Sequence, residues 1–214
     1  MLATTARAPQ GAVEPQSFLD CLRYFLTPQV WKQARRALGG YEAIRWTAQP
    51  LLFVALVMTW SAGDSAAERF ETARAFYVAS YQRQRRPGKT PEGFQKALAR
   101  VPAPALRRVA AAVRGRLEQV FAGRLVVDGF VPLGCDGTRL NCPHTPELEQ
   151  RLRANPQPHD PPTIFVSAFV HLSLGVLWSW RLGGPRASEQ DHLLRLLATL
   201  PRLALIVADA GYVG

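Results

Sequence analysis

Two aspartates each close an apolar stretch of the sequence, and their setting suits them to hold a hard cation. Asp209 ends the run in Leu205-Ile-Val-Ala-Asp-Ala-Gly-Tyr-Val-Gly, and Asp136 ends the one in Val131-Pro-Leu-Gly-Cys-Asp-Gly-Thr. The run before Asp209 reads as a strand buried on both faces, and a carboxylate at the carboxyl end of such a strand sits where open α/β sheets place their ligands. The following Gly-Tyr-Val-Gly lets the backbone turn tightly beside it. Magnesium takes oxygen ligands and draws only one or two carboxylates from protein, so two strand-borne aspartates point to Mg²⁺ or Mn²⁺. Each is weak evidence alone, because Asp-Gly is a common turn pair and Asp209 could start a turn. The pair gains weight from the 73-residue step between them. That step reads as a hairpin, a Gly-Pro-rich joint and a helix, giving the order strand, strand, strand, helix, strand.

The elements that must position these residues begin far upstream. Residues 1–16 hold little to bury and read as a loose tail. Ser17 caps a short helix to Leu26, and Thr27-Pro28 starts a second that stops at Gly39-Gly40. Short helix, joint, short helix fits a helix-turn-helix or any bundle, and no recognition helix is marked, which favours the bundle. The run Leu51–Trp60, with Pro50 on its N-terminal side, is too short to span a bilayer and reads as a buried central helix. Ser65 caps the next helix, whose Phe70, Phe76, Tyr77 and Tyr81 share a face and read as core rather than a base-stacking platform. The basic loop Arg83-Gln-Arg-Arg-Pro-Gly-Lys89 reads as a solvated turn before a helix start at Thr90-Pro91. A helix over 104–122 carries Arg107, Arg108, Arg114 and Arg116 opposite its apolar side.

Beyond Asp136, a Pro-rich loop over 141–162 leaves room for one short helix near Pro146. Thr163–Trp180 is nearly apolar over 18 residues, the lower limit of a membrane helix, but Ser167, His171, Ser173 and Ser179 interrupt it. Its Val, Ile, Phe and Trp favour strands, and Gly175 offers a turn, so the segment reads as a hairpin with His171 structural near the turn. Ser188 caps an amphipathic helix over 189–200, which Pro201 ends.

The charge of +10 is unevenly spread. Residues 1–130 carry 19 Lys or Arg against 9 Asp or Glu, while residues 131–214 carry 7 against 7. A polyanion held by the first part and chemistry done by the second fits that division. A phosphate-contact surface is expected at Arg83, Arg85, Arg86, Lys89, Arg107, Arg108, Arg114 and Arg116. Three cysteines, Cys21, Cys135 and Cys142, give neither a disulfide framework nor, even with His144 nearby, a common zinc spacing. They read as thiols of a reducing cytosol, and the N-terminus lacks the order of a signal peptide.

These segments resemble the DDE transposases of the insertion-sequence-four type. The resemblance rests on the Asp136 and Asp209 segments, on Trp178-Ser-Trp-Arg-Leu-Gly and on Ser188-Glu-Gln-Asp-His-Leu-Leu, and covers residues 125–214. It implies an α+β or α/β chain in which a basic helical DNA-binding domain over 17–124 precedes a partial RNase H-like mixed sheet over 125–214. It implies that Asp136 and Asp209 are catalytic ligands of Mg²⁺ or Mn²⁺ for cut-and-paste phosphoryl transfer. The implied partner is double-stranded DNA at transposon ends and target, in a cytoplasmic, nucleoid-associated setting, with no membrane and with room for a homodimer. The family's third carboxylate is a Glu within Tyr-x2-Arg-x3-Glu-x6-Lys, and none of Tyr24, Tyr41, Tyr77, Tyr81 and Tyr212 begins that motif. The expectation is therefore the front part of a transposase, a fragment or the product of a truncated gene, inactive as it stands. The alternative is a catalytically dead form that binds DNA as an inhibitor. A membrane-surface protein using the basic helix is a third reading, weakened by the lack of a lipid-anchor signal.

Overall fold

Side-chain caps start the helices where the sequence places them. In this computed structural model, which describes residues 17–41, 43, 45–152 and 161–209, Ser17, Thr27, Ser65 and Thr90 each accept a backbone N–H two or three residues into the helix that follows. The expectations for the 1–16 tail and for Gly211-Tyr-Val-Gly214 lie outside the described residues. The helices are α1 (Phe18–Phe25), α2 (Pro28–Leu38), α3 (Ala48–Met58), α4 (Ala66–Ser80), α5 (Pro91–Ala99) and α6 (Ala103–Val120). They form one compact unit that ends at Val120, and the residues from Phe121 on belong to another. The boundary falls at 120/121, before the expected 124/125.

The centre of the helical unit is α3, apolar around its whole circumference as a buried helix must be. Its Leu51, Phe53 and Val54 are 1% exposed or less, and Pro50 sits at the third helical position, where no intrahelical N–H is needed. Phe53 meets the rings of Phe76, Tyr77 and Tyr81 at centroid distances of 5.9, 5.4 and 5.4 Å. The aromatic face of α4 is thus core. Trp46, just before α3, lies 6.0 Å from Phe70 and 5.2 Å from Phe94, joining α4 and α5 to the same cluster.

Arginines close the exposed carbonyl ends of these helices. Arg116 Nε donates to Tyr24 O at 3.1 Å with its guanidinium over the Tyr24 ring, Arg108 Nη2 donates to Ala37 O at 3.4 Å, and Arg23 Nη2 donates to Ser80 O at 3.4 Å. Those carbonyls are the last-turn acceptors of α1, α2 and α4, which have no intrahelical donor.

In the second unit the described elements are β1 (Val131–Asn141), α7 (Pro146–Leu152), β2 (Thr163–His171), β3 (Val176–Gly183), α8 (Glu189–Leu197) and β4 (Ala204–Ala208), after a single 3₁₀ turn at Ala122–Arg124. The chain is therefore α+β, with eight helices and one mixed sheet among the described residues. The sheet order is β3-β2-β1-β4, with β1 antiparallel to β2, β2 antiparallel to β3, and β4 parallel to β1. The 163–180 segment is the expected hairpin; its turn uses Gly175 at φ 64, and Gly175 N donates to His171 O at 2.8 Å. No helix among the described residues is long and apolar enough to cross a membrane. Val131, Leu133, Cys135, Phe169 and Trp178 form the sheet's core with Leu196 of α8.

β4 departs from its expected double burial. Leu205 and Val207 are 50% and 52% exposed and Ile206 36%, because β4 is an edge strand and α8 covers only one sheet face. An unbroken apolar run reports strand formation but not which of its faces finds a cover.

A hydrogen bond from a charged donor contributes about 1.5–3 kcal/mol when buried, and less at the half-exposed Arg116. Arg116→Ala is expected to lower the urea-unfolding free energy by about 1 kcal/mol, and the exposed Arg107→Ala to change it by less than about 0.5 kcal/mol. Equal effects of the two would remove the capping role.

Candidate active site

The parallel ladder between β1 and β4 runs from Val131↔Ala204 to Cys135↔Ala208. One residue further along that register stand Asp136 and Asp209. Partners in a parallel ladder point to the same face, and adjacent strands lie about 4.8 Å apart. Val131, Leu133 and Cys135 point into the core under α8, so Asp136, of opposite parity, belongs to the other face, with Leu205, Val207 and Asp209 on that side of β4. Both aspartates are exposed. Asp136 Oδ1 accepts the N–H of Gly137 at 2.7 Å, which orients its carboxylate at the strand.

Asp136 is not at the end of its strand, as the sequence suggested, but sixth of eleven residues in β1. Among the described residues, β1 continues to Asn141 paired with β2 alone. Asp136 thus marks where the four-stranded sheet narrows to three among the described residues. The Gly-Thr after it continues the ladder instead of turning, since Gly137↔Ser167 and Thr138↔Val166 pair with β2.

Gly137 is needed there for a different reason. A Cβ at 137 would lie 2.7 Å from Phe165 Cζ and 2.8 Å from Glu189 Oε1. The bare backbone admits the first residue of α8 onto the sheet. A cleft of about 390 Å³ opens at this point, lined by Gly137, Thr138, Arg139, Phe165, Ser188 and Glu189. Arg139 Nη1 donates to Pro185 O at 2.9 Å and lies over the Phe165 ring.

The residue that fastens α8 is His192, which the sequence reading did not single out. Its ring is buried, with Nδ1 2.9 Å from the buried Ser167 Oγ and 5.4 Å between its centroid and that of Phe165. At Gly183, a Cβ would approach His192 Nε2 to 2.6 Å. Burial first, then the Arg181 and Arg195 charges, hold the His192 pKa below its ordinary value, against a smaller opposing effect of Asp191. His171, expected to be structural, is fully buried, and its Nε2–H donates to Leu125 O at 2.9 Å. The spacing of Ser188 and His192 on one helix was visible, but not that Ser167 on β2 would meet the ring.

The eight basic candidates separate into two groups. Arg83, Arg85, Arg86 and Lys89 are exposed on the segment between α4 and α5. On α6, Arg107 is exposed, Arg108 and Arg116 bond the carbonyls of Ala37 and Tyr24, and Arg114 Nε lies 3.8 Å from Glu118 Oε1. Cys21, Cys135 and Cys142 form no disulfide among the described residues, and His144 pairs with Glu149 at 3.0 Å. Among the described residues no group of three His, Cys, Asp or Glu side chains could together hold a metal ion. Asp136 and Asp209 fit a hard divalent cation in kind, as oxygen donors, and supply two positions.

Neither a protein-family model, nor a curated protein, nor a solved structure matches this chain.

Because the folded state holds His192 neutral, the unfolded state binds the extra proton as pH falls. Its stabilising effect is present in full above the unfolded pKa of about 6.5 and is lost as pH drops from there toward the lower folded value. Thermal melting between pH 7.5 and 5 is expected to show a falling midpoint below about pH 6.5. His192→Gln is expected to melt lower at pH 7.5 and to lose this part of the pH dependence.

Proposed function

We propose that this chain is a DDE-type transposase of the insertion-sequence-four kind, carrying two of the three carboxylates, with an RNase H-like sheet and a basic helical domain for element-end DNA. One observation carries the reading. An RNase H-like sheet needs its first and fourth strands side by side, and the β1–β4 register brings Asp136 and Asp209 together although 73 residues separate them. The uneven charge supports duplex DNA as partner. The outer edge of β4, without a neighbouring strand among the described residues, is compatible with a homodimer. A cytoplasmic, nucleoid-associated setting follows from the same reading.

Asp136 and Asp209 are the proposed ligands for Mg²⁺ or Mn²⁺. When bound, such cations supply activation of water or a 3′ hydroxyl and stabilisation of the leaving oxygen. The chain's own part is positional. The β1–β4 ladder sets the spacing of the two aspartates, the Gly137 N–H orients Asp136, and exposed arginines hold the DNA backbone. A second reading is a protein that binds element-end DNA without cleaving it.

One measurement tests the DNA partner common to both readings, and a second separates them. If about six phosphates are contacted, the log–log salt dependence of duplex binding should have a slope near −5. With two carboxylates, no plasmid nicking is expected in Mg²⁺ or Mn²⁺. Nicking that Asp136→Ala abolishes would show that two suffice and would remove the binding-only reading. Salt-independent binding, or none, would remove the DNA partner.

A further inference from the structure

The basic segment between α4 and α5 is fastened at several points, not the solvated turn its composition suggests. Tyr77, 1% exposed, donates its hydroxyl to Gln84 Oε1 at 2.8 Å. Burial, with Tyr81 adding to it, pushes the Tyr77 pKa up to about 12, so the donor persists at neutral pH. Pro87 is fully buried. Gly88 lies flat against the Trp46 indole, where a Cβ would come within 2.5 Å of Nε1. The Gly88 N–H donates to Arg45 O at 3.3 Å, and Arg74 Nε donates to Gly88 O at 2.8 Å.

Between these tethers Arg85 and Arg86 stand exposed, with Arg83 and Lys89 exposed just outside them. No Asp or Glu occurs from Thr72 to Pro91 to neutralise them. A cleft of about 320 Å³ opens beside them, lined by Tyr77, Tyr81, Gln84, Arg85, Arg86 and Pro87. On α6, by contrast, Arg108 and Arg116 already bond helix carbonyls.

We propose that residues 82–89 form a preformed phosphodiester clamp, in which the cleft takes one backbone phosphate and its sugar. Arg85 and Arg86 contact the phosphate oxygens, and the Tyr81 ring packs against the sugar. A loop already fixed loses little conformational freedom on binding, so each contact it makes counts for more than one from a free side chain. The choice of duplex DNA as ligand rests on the transposase reading.

The test uses the full chain, a fluorescein-labelled duplex of random sequence and anisotropy titrations across a range of salt. Arg85→Ala with Arg86→Ala is compared with Arg35→Ala with Arg36→Ala, an equal charge loss on exposed positions of α2. The loop pair is expected to flatten the slope by about 2, at about one per phosphate contact, and the α2 pair to leave it unchanged. Gly88→Ala keeps every charge but pushes the loop off Trp46, and is expected to weaken binding with circular dichroism unchanged. Should it fail to fold, Tyr77→Phe removes the Gln84 tether with a smaller change of volume and is expected to weaken binding likewise. Equal slopes for the two arginine pairs, or full affinity in the folded tether variants, would overturn the clamp. Absence of duplex binding by the wild-type chain would instead overturn the function beneath it.

Discussion

The parallel pairing of β1 with β4 is the constraint on which the geometry of the candidate site depends. Antiparallel neighbours can be joined by a tight turn, as β2 and β3 are, but a parallel neighbour needs a crossover. Here α8 supplies it, and α8 is held by a short set of contacts: the bare backbone at Gly137 and Gly183, and the buried Ser167–His192 pair. The β1–β4 ladder sets the spacing of the two aspartates, and apart from Gly137, whose N–H bonds Asp136, the groups that hold α8 in place touch neither of them. A substitution under α8 acts on the candidate site through the register of β4.

Much of this architecture was legible because it is local. Ser17, Thr27, Ser65, Thr90 and Ser188 mark helix starts through bonds that span three residues, and each does so in the structure. The hairpin was legible from β-branched and aromatic content around Gly175. The two aspartates were legible as residues, and the strand order brought them together. What escaped the sequence is decided by partners distant in the chain. Asp136-Gly137 looked like a turn, but Ala168 and Ser167 hold it in a ladder. The apolar run of β4 looked doubly buried, but nothing among the described residues covers its outer side.

Charge counting leaves out the same kind of information. The excess of Lys and Arg over residues 69–124 is real, but the count does not say which guanidinium already has an oxygen partner. Arg116 and Arg108 look like a basic helix face and serve as caps for α1 and α2, while Arg83, Arg85 and Arg86 look like a loose loop and are presented on a fixed one. An arginine fits the capping role because its planar fork reaches a carbonyl while the stem packs along apolar surface.

The position of β4 in the chain also bears on the order of assembly. β1, β2 and β3 form a meander whose neighbours are consecutive, so those three strands can pair as soon as they exist. β4 must wait for α8 to dock and then insert beside β1, the most non-local pairing in the sheet and the slowest kind to form. On a ribosome, where chains emerge from the N-terminus, the helical unit and the meander can be in place while Asp209 is still being delivered. The basic helical unit would thus be complete before Asp136 and Asp209 stand paired, so the two candidate surfaces would arise one after the other within the lifetime of a single molecule.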